Sequence, residues 1–169
     1  MKQVEIADQA LREAAGKGMD EFLQVFVNAL REASGSEELT AEAMNEMNSD
    51  QITLLAWDTL HQEIMSGGFV QLIHNGYGPF IFKNPFAKAL KLWGLREPSK
   101  LIYEAHTLYN KYGAQIEHDC TYDEFMALYE QFPEFEELDD FFVTNEEEWT
   151  SDIAQYVDNH IDNFATITT

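Results

Sequence analysis

Thr144-Asn145-Glu146-Glu147-Glu148-Trp149-Thr150-Ser151-Asp152-Ile153-Ala154-Gln155-Tyr156-Val157-Asp158-Asn159-His160-Ile161-Asp162-Asn163-Phe164 is the stretch whose periodicity decides how this chain folds. Trp149, Ile153, Tyr156, Val157, His160 and Phe164 recur at three- and four-residue steps, which puts them on one side of a helix, while Glu148, Asp152, Asp158 and Asp162 fall off that stripe. A disordered acidic tail is poor in such apolar residues, so these acids ride on a fixed scaffold. Like charges four residues apart, Glu148 with Asp152 and Asp158 with Asp162, cost about 0.2–0.5 kcal/mol per pair on an isolated helix. A sequence selected for stability alone would place lysine there.

The same bias extends outward. From Tyr112 to Thr169 there are sixteen Asp and Glu residues and no Lys or Arg. Glu32 to Phe82 carry eight acids and no Lys or Arg, and residues 1–31 are nearly balanced. Lys83 to Lys111 are the exception, with Lys83, Lys88, Lys91, Arg96, Lys100 and Lys111 against Glu97 and Glu104. We expect this basic block to face neighbouring acidic helices and offset their self-repulsion, with a dimer contact as the rival explanation. The formal charge of -21 repels nucleic acid and anionic membrane surfaces. The partners it favours are a basic protein surface or a metal ion, and solubility alone would leave the same composition.

Helical signals cover nearly the whole chain. Asp20 can cap a helix bearing Phe22, Phe26 and Leu30 and ending at Gly35, and Thr40 and Ser49 can cap the next two. Ile52, Leu55, Ala56, Leu60 and Ile64 form a stripe closed by Gly67-Gly68. Asn84-Pro85 and Pro98 mark further starts, and Thr121 with Glu124 and Thr144 with Glu147 read as capping boxes. Strands find little support. The expected fold is all-α, a compact multi-helix single domain over 1–169, divided into N-terminal helices (1–48), a core (49–113) and acidic C-terminal helices (114–169). The first residues lack the apolar stretch of a signal peptide, no window is apolar enough to span a membrane, and a lone Cys120 fits a reducing compartment, so a soluble, cytoplasmic protein is expected.

Gly67-Gly68-Phe69-Val70-Gln71-Leu72-Ile73-His74-Asn75-Gly76, followed by Ala87, Ala89-Leu90 and Gly94, resembles the signature region of a bacterial family that includes a DNA-mimic protein of about this size. The likeness runs from about Leu54 to Gly113, with weaker agreement in the acidic helices. It implies an all-helical, commonly dimeric protein whose acidic surface occupies the DNA-binding face of a transcription regulator or another DNA-binding protein. Where family members usually have serine after the asparagine, this chain has Gly76-Tyr77-Gly78. Physically, adjacent glycines permit a helix break with close backbone approach, and Gln71 and Asn75, four apart, can hydrogen-bond to a loop or an adjacent subunit.

Mimicry requires carboxylates held at phosphate-like spacing. Helical neighbours three and four apart have Cβ atoms about 5–6 Å apart, whereas duplex DNA carries a charge per roughly 1.7 Å of axis, so several helices must contribute. The densest candidates are Glu130, Glu134, Glu136, Glu137, Asp139 and Asp140, then Glu146, Glu147, Glu148 and Asp152, with Glu37, Glu38, Glu42 and Glu46 as a second patch. The expected partner is a basic DNA-binding protein, such as a transcription factor, bound by a homodimer that does not itself bind DNA or membrane. An immunity or anti-restriction protein covering a nuclease groove would use the same chemistry.

An enzyme is the competing class. A pocket around Phe69, Gln71, His74 and Asn75 is its best candidate. His61-Gln62-Glu63 lacks the spacing that puts two histidines on one helical face, and Glu104-Ala105-His106 has no third ligand in sight. Glu117-His118-Asp119-Cys120 are consecutive and cannot all converge on one ion. No catalytic residue, metal or cofactor is expected.

Overall fold

The computed structural model describes residues 1–35 and 39–169 of the chain; Glu37 and Glu38 of the second acidic patch lie outside the described residues. The fold is all-α, with nine α-helices among the described residues. No helix among the described residues is long and apolar enough to cross a membrane. The chain forms two compact units, one joining residues 1–55 to 147–169 and the other comprising 56–146.

The first unit holds β1 (Glu5–Ala7), α1 (Asp8–Lys17), α2 (Met19–Ser34), α3 (Ala41–Asn45), the start of α4 (Ser49–His74), the end of α9 (Glu134–Asn159) and β2 (Thr166–Thr168). β1 and β2 pair in parallel with Ile6 opposite Ile167, a short sheet at the chain ends where helix alone was expected. Its three-residue strands are too short to show a period-two pattern, and they meet only across the length of the chain. α2 buries Phe22, Phe26 and Leu30 as its periodicity predicts and ends at Gly35, whose φ of 76° is the left-handed conformation glycine favours. Phe26 packs edge-on against Phe164 at 6.2 Å.

Two of the expected caps move. Thr40 caps α3, accepting from the Ala43 N–H at 3.1 Å. α4 is capped one residue earlier than Ser49: the Gln51 N–H donates to Asn48 Oδ1 at 2.8 Å and the Asn48 N–H donates to Gln51 Oε1 at 3.1 Å, a reciprocal box. Asp20 lies in the first turn of α2 rather than at its cap.

The second unit holds the rest of α4, then α5 (Gly78–Phe82), α6 (Phe86–Leu92), α7 (Arg96–Ile116), α8 (Tyr122–Gln131) and the first half of α9. α6 and α7 pack directly on each other, and the buried Ser99 hydroxyl donates to the Ala87 carbonyl at 2.6 Å. Phe69 sits fully buried at the core, with rings of Phe82 and Phe135 each 6.4 Å away. Among the described residues most of the basic block meets no acid at close range, although the charge of Glu134 on α9 acts on Lys111. Lys83, Lys88, Lys91, Arg96 and Lys100 are exposed, and among the described residues none of them forms an ion pair. The reason is local, since α6 turns Phe86, Ala87, Ala89 and Leu90 inward and leaves its lysines on the opposite face.

α9 corrects the largest misreading. Thr144 with Glu147 starts no helix, because α9 already runs through both from Glu134. Phe135, Phe142 and Trp149, at seven-residue steps, continue into Ile153 and Val157 as one unbroken buried stripe, and that stripe overrides a capping pattern only four residues long.

Candidate functional site

Acidic side chains concentrate on α8 and α9. Thr121 opens α8 as predicted, accepting from the Glu124 N–H at 3.2 Å, and Glu130 projects from its far end into solvent. On α9, Glu134, Glu136, Glu137, Asp140, Glu147, Glu148 and Asp152 are exposed, held on that helix by its buried aromatic stripe. Glu42 and Glu46 are also exposed, and Glu46 pairs with the N-terminal ammonium.

The other two candidates turn inward. Asp139 lies four residues after Phe135 and three before Phe142; Glu146 stands in the same relation to Phe142 and Trp149. Both therefore fall on the buried stripe, and each has a partner there. Asp139 Oδ1 accepts from the Phe69 N–H at 2.8 Å, and Glu146 Oε2 lies 2.9 Å from His61 Nε2. The spacing from the aromatic residues was the signal in the sequence that separates these two from their exposed neighbours.

Asp139 belongs to a second constellation, built around Gly67-Gly68. α4 is broken at Gly68, whose φ of 77° and ψ of −172° are accessible essentially to glycine alone. The break frees backbone groups that a continuous helix would pair. The Phe69 N–H goes to Asp139, and the Gly67 carbonyl accepts from the Tyr129 hydroxyl at 2.8 Å. A Cβ at Gly68 would collide with the Asp139 carboxylate, and one at Gly67 with the Gln71 side chain. Gln71 Nε2 and Asn75 Nδ2 both donate to Glu63 Oε2, at 2.8 and 3.1 Å, so the two amides tie the helix together across its own break. Each part of the GGFxQ...N motif thus has a structural task.

Burial pushes the Asp139 carboxyl up to about 7; the Phe69 N–H opposes that shift, and the negative charges of Asp140 and Glu136 add to it. The Tyr129 phenol is raised as well, by burial first and then by Asp139 and Glu63.

The residues singled out for enzyme chemistry are held in other ways. His74 Nδ1 donates to the Ile116 carbonyl at 3.0 Å and its ring lies 4.7 Å from that of Phe125. His106 stacks on Phe82 at 5.6 Å. Glu117 accepts from the Tyr109 hydroxyl at 2.6 Å; burial and this contact push the Tyr109 phenol up to about 12. Among the described residues no three His, Cys, Asp or Glu side chains are grouped to hold a metal ion.

Comparison with known proteins places these features in a family. The sequence model of a family described as DMP19-like protein matches residues 45–160, a span that includes the Gly68 break and all of α9. The DNA mimic protein DMP19 of Neisseria meningitidis serogroup B (strain ATCC BAA-335 / MC58) is 37% identical to this chain over 128 residues, which cover 75% of this chain and 77% of that protein.

Proposed function

We infer that this chain, which belongs to the DMP19-like protein family, is itself a DNA mimic that captures a basic DNA-binding protein. The observation that carries the reading is the row of exposed carboxylates on α8 and α9, fixed by buried aromatic residues and followed by no lysine or arginine to the end of the chain. The contact set is Glu130, Glu134, Glu136, Glu137 and Asp140, with Glu147, Glu148 and Asp152 further along α9. Asp139 and Glu146 hold the scaffold instead.

Capture is electrostatic. The acidic field speeds encounter with a basic surface, and the bound face excludes DNA from the partner, a transcription regulator being the natural case. The acting species is a cytoplasmic homodimer, and the process needs no catalytic residue, metal or cofactor.

The test begins with capture from the native cell at low salt, followed by release as salt rises. The purified partner is then bound to its DNA and challenged with this protein, which should displace the duplex without binding DNA itself. Changing Glu130, Glu134, Glu136, Glu137 and Asp140 together to Gln and Asn should abolish displacement while the helical circular dichroism remains. The same number of neutralisations at the exposed Glu5, Asp20, Glu32, Glu97 and Glu104 should leave displacement intact. Equal loss from both sets would reduce the effect to net charge and sink the assignment of the face.

A further inference from the structure

We propose that Asp139 is a proton-sensitive positioning residue, whose carboxyl plugs the break at Gly68 and fixes the acidic start of α9, seating best when it carries a proton. Three observations converge on it. The carboxylate fills the space that a side chain at Gly68 would need. It also accepts the Phe69 N–H left unpaired by the break. Its own helix bears the exposed carboxylates Glu136, Glu137 and Asp140 within four residues on either side, so whatever seats Asp139 also orients them.

The surroundings set the direction of the proton's effect. Glu136 and Asp140 act on Asp139 from α9, and Tyr129 from α8. Glu63 of α4 acts on the same Tyr129 and adds a further negative charge to the neighbourhood. Among the described residues no lysine or arginine forms an ion pair with Asp139. An ionised carboxylate here meets one N–H donor and a ring of negative or potentially negative groups, whereas a neutral one keeps the N–H contact and loses the repulsion.

The sign follows from linkage. The folded carboxyl titrates at about 7 against an ordinary value of 3.8. Its contribution to stability is complete below 3.8, declines as pH rises between those values, and is gone once pH passes through the folded value. The consequence for capture rests on the mimic reading above. The plug itself needs no partner to be tested, so the two can fail separately.

The decisive variant is Asp139→Asn, which keeps the shape and the acceptor but cannot ionise. Thermal unfolding of parent and variant is followed from pH 5 to 9, above the pI of about 4.3. The variant should gain on the parent from pH 5 to about 7, by at most about a hundredfold in the folding equilibrium constant, and the difference should then level off. Hydrogen exchange of the Phe69 amide should stay slow in Asp139→Asn and become fast in Asp139→Ala at every pH. A parent-to-variant difference that does not change with pH overturns the proton sensitivity. An Asn variant that fails to fold, or an Ala variant in which the Phe69 amide stays protected, overturns the plug.

Discussion

The first half of α9 and the α6–α7 pair belong to the same unit and carry opposite charges on the same kind of scaffold. In each, aromatic and aliphatic side chains are buried along one face: Phe135 and Phe142 in α9, Phe86 and Leu90 in α6. In each, the charged residues stand in solvent, Glu136, Glu137 and Asp140 on one and Lys88, Lys91 and Lys100 on the other. The difference lies in what the inward face accepts. α9 admits a carboxyl, Asp139, because the break at Gly68 supplies a backbone N–H to meet it, whereas the buried face of α6 is wholly apolar. Lys88, Lys91 and Lys100 form no ion pair among the described residues, so none of them neutralises a carboxylate of α9 by direct contact.

The largest expected effect comes from separating α9 from its second half. A chain ending at Phe142 keeps the α6–α7 pair complete but removes Trp149, Ile153, Val157 and Phe164, all buried. On the proposal that the whole chain folds as one domain, circular dichroism should show that the remainder has lost its cooperative melt, since several core side chains disappear at once and each is worth about 3–5 kcal/mol for an aromatic residue. A remainder that melts like the full chain would mean that the acidic half-helix stands without its continuation.

Next comes Gly68→Ala. Alanine at this backbone conformation costs about 1–3 kcal/mol, and its Cβ would also displace Asp139 from the Phe69 N–H. Chemical denaturation should show a lowered midpoint, with faster amide exchange over the first turns of α9 and little change in α6. Equal loosening of both regions would erase the contrast between them.

Much of this architecture was legible because it is periodic. The α2 stripe, the Thr40 and Thr121 caps and the glycine pair at Gly67-Gly68 are all signals carried within a short run of sequence. What was missed depends on distant groups. The parallel β1–β2 pair joins residues at the two ends of the chain. The continuity of α9 through Thr144 depends on burial of Phe135 and Phe142, which a local capping pattern does not register. Asp139 and Asp140 are adjacent and chemically alike, and only the position of Asp139 on the aromatic stripe distinguishes the inward acid from the exposed one. The donor that meets it, the Phe69 N–H, lies seventy residues away in sequence.

A smaller effect is expected from Asp140→Lys. Glu136 and Asp140 are like charges four apart on an exposed face. Replacing the second by lysine converts a repulsion of about 0.2–0.5 kcal/mol into an attraction of similar size, in the favoured Glu-to-Lys order. The melting temperature should rise slightly at low ionic strength and the gain should fade with added salt. Partner capture should weaken in the same variant, so stability and binding should move in opposite directions.

The smallest effect decides the comparison. Lys88, Lys91 and Lys100 are exposed and form no ion pair among the described residues. Changing all three to Gln should therefore alter stability by no more than about 0.5 kcal/mol, the usual range for surface positions without a specific contact. If their charge offset the acids of the same unit through space, the triple variant would lose considerably more at low salt and recover as salt screened the repulsion. Denaturant midpoints measured at low and at high salt separate the two cases. Coincident parent and variant midpoints at both salts would leave the basic face as an independent surface, and a loss confined to low salt would restore internal neutralisation as the reason for its charge.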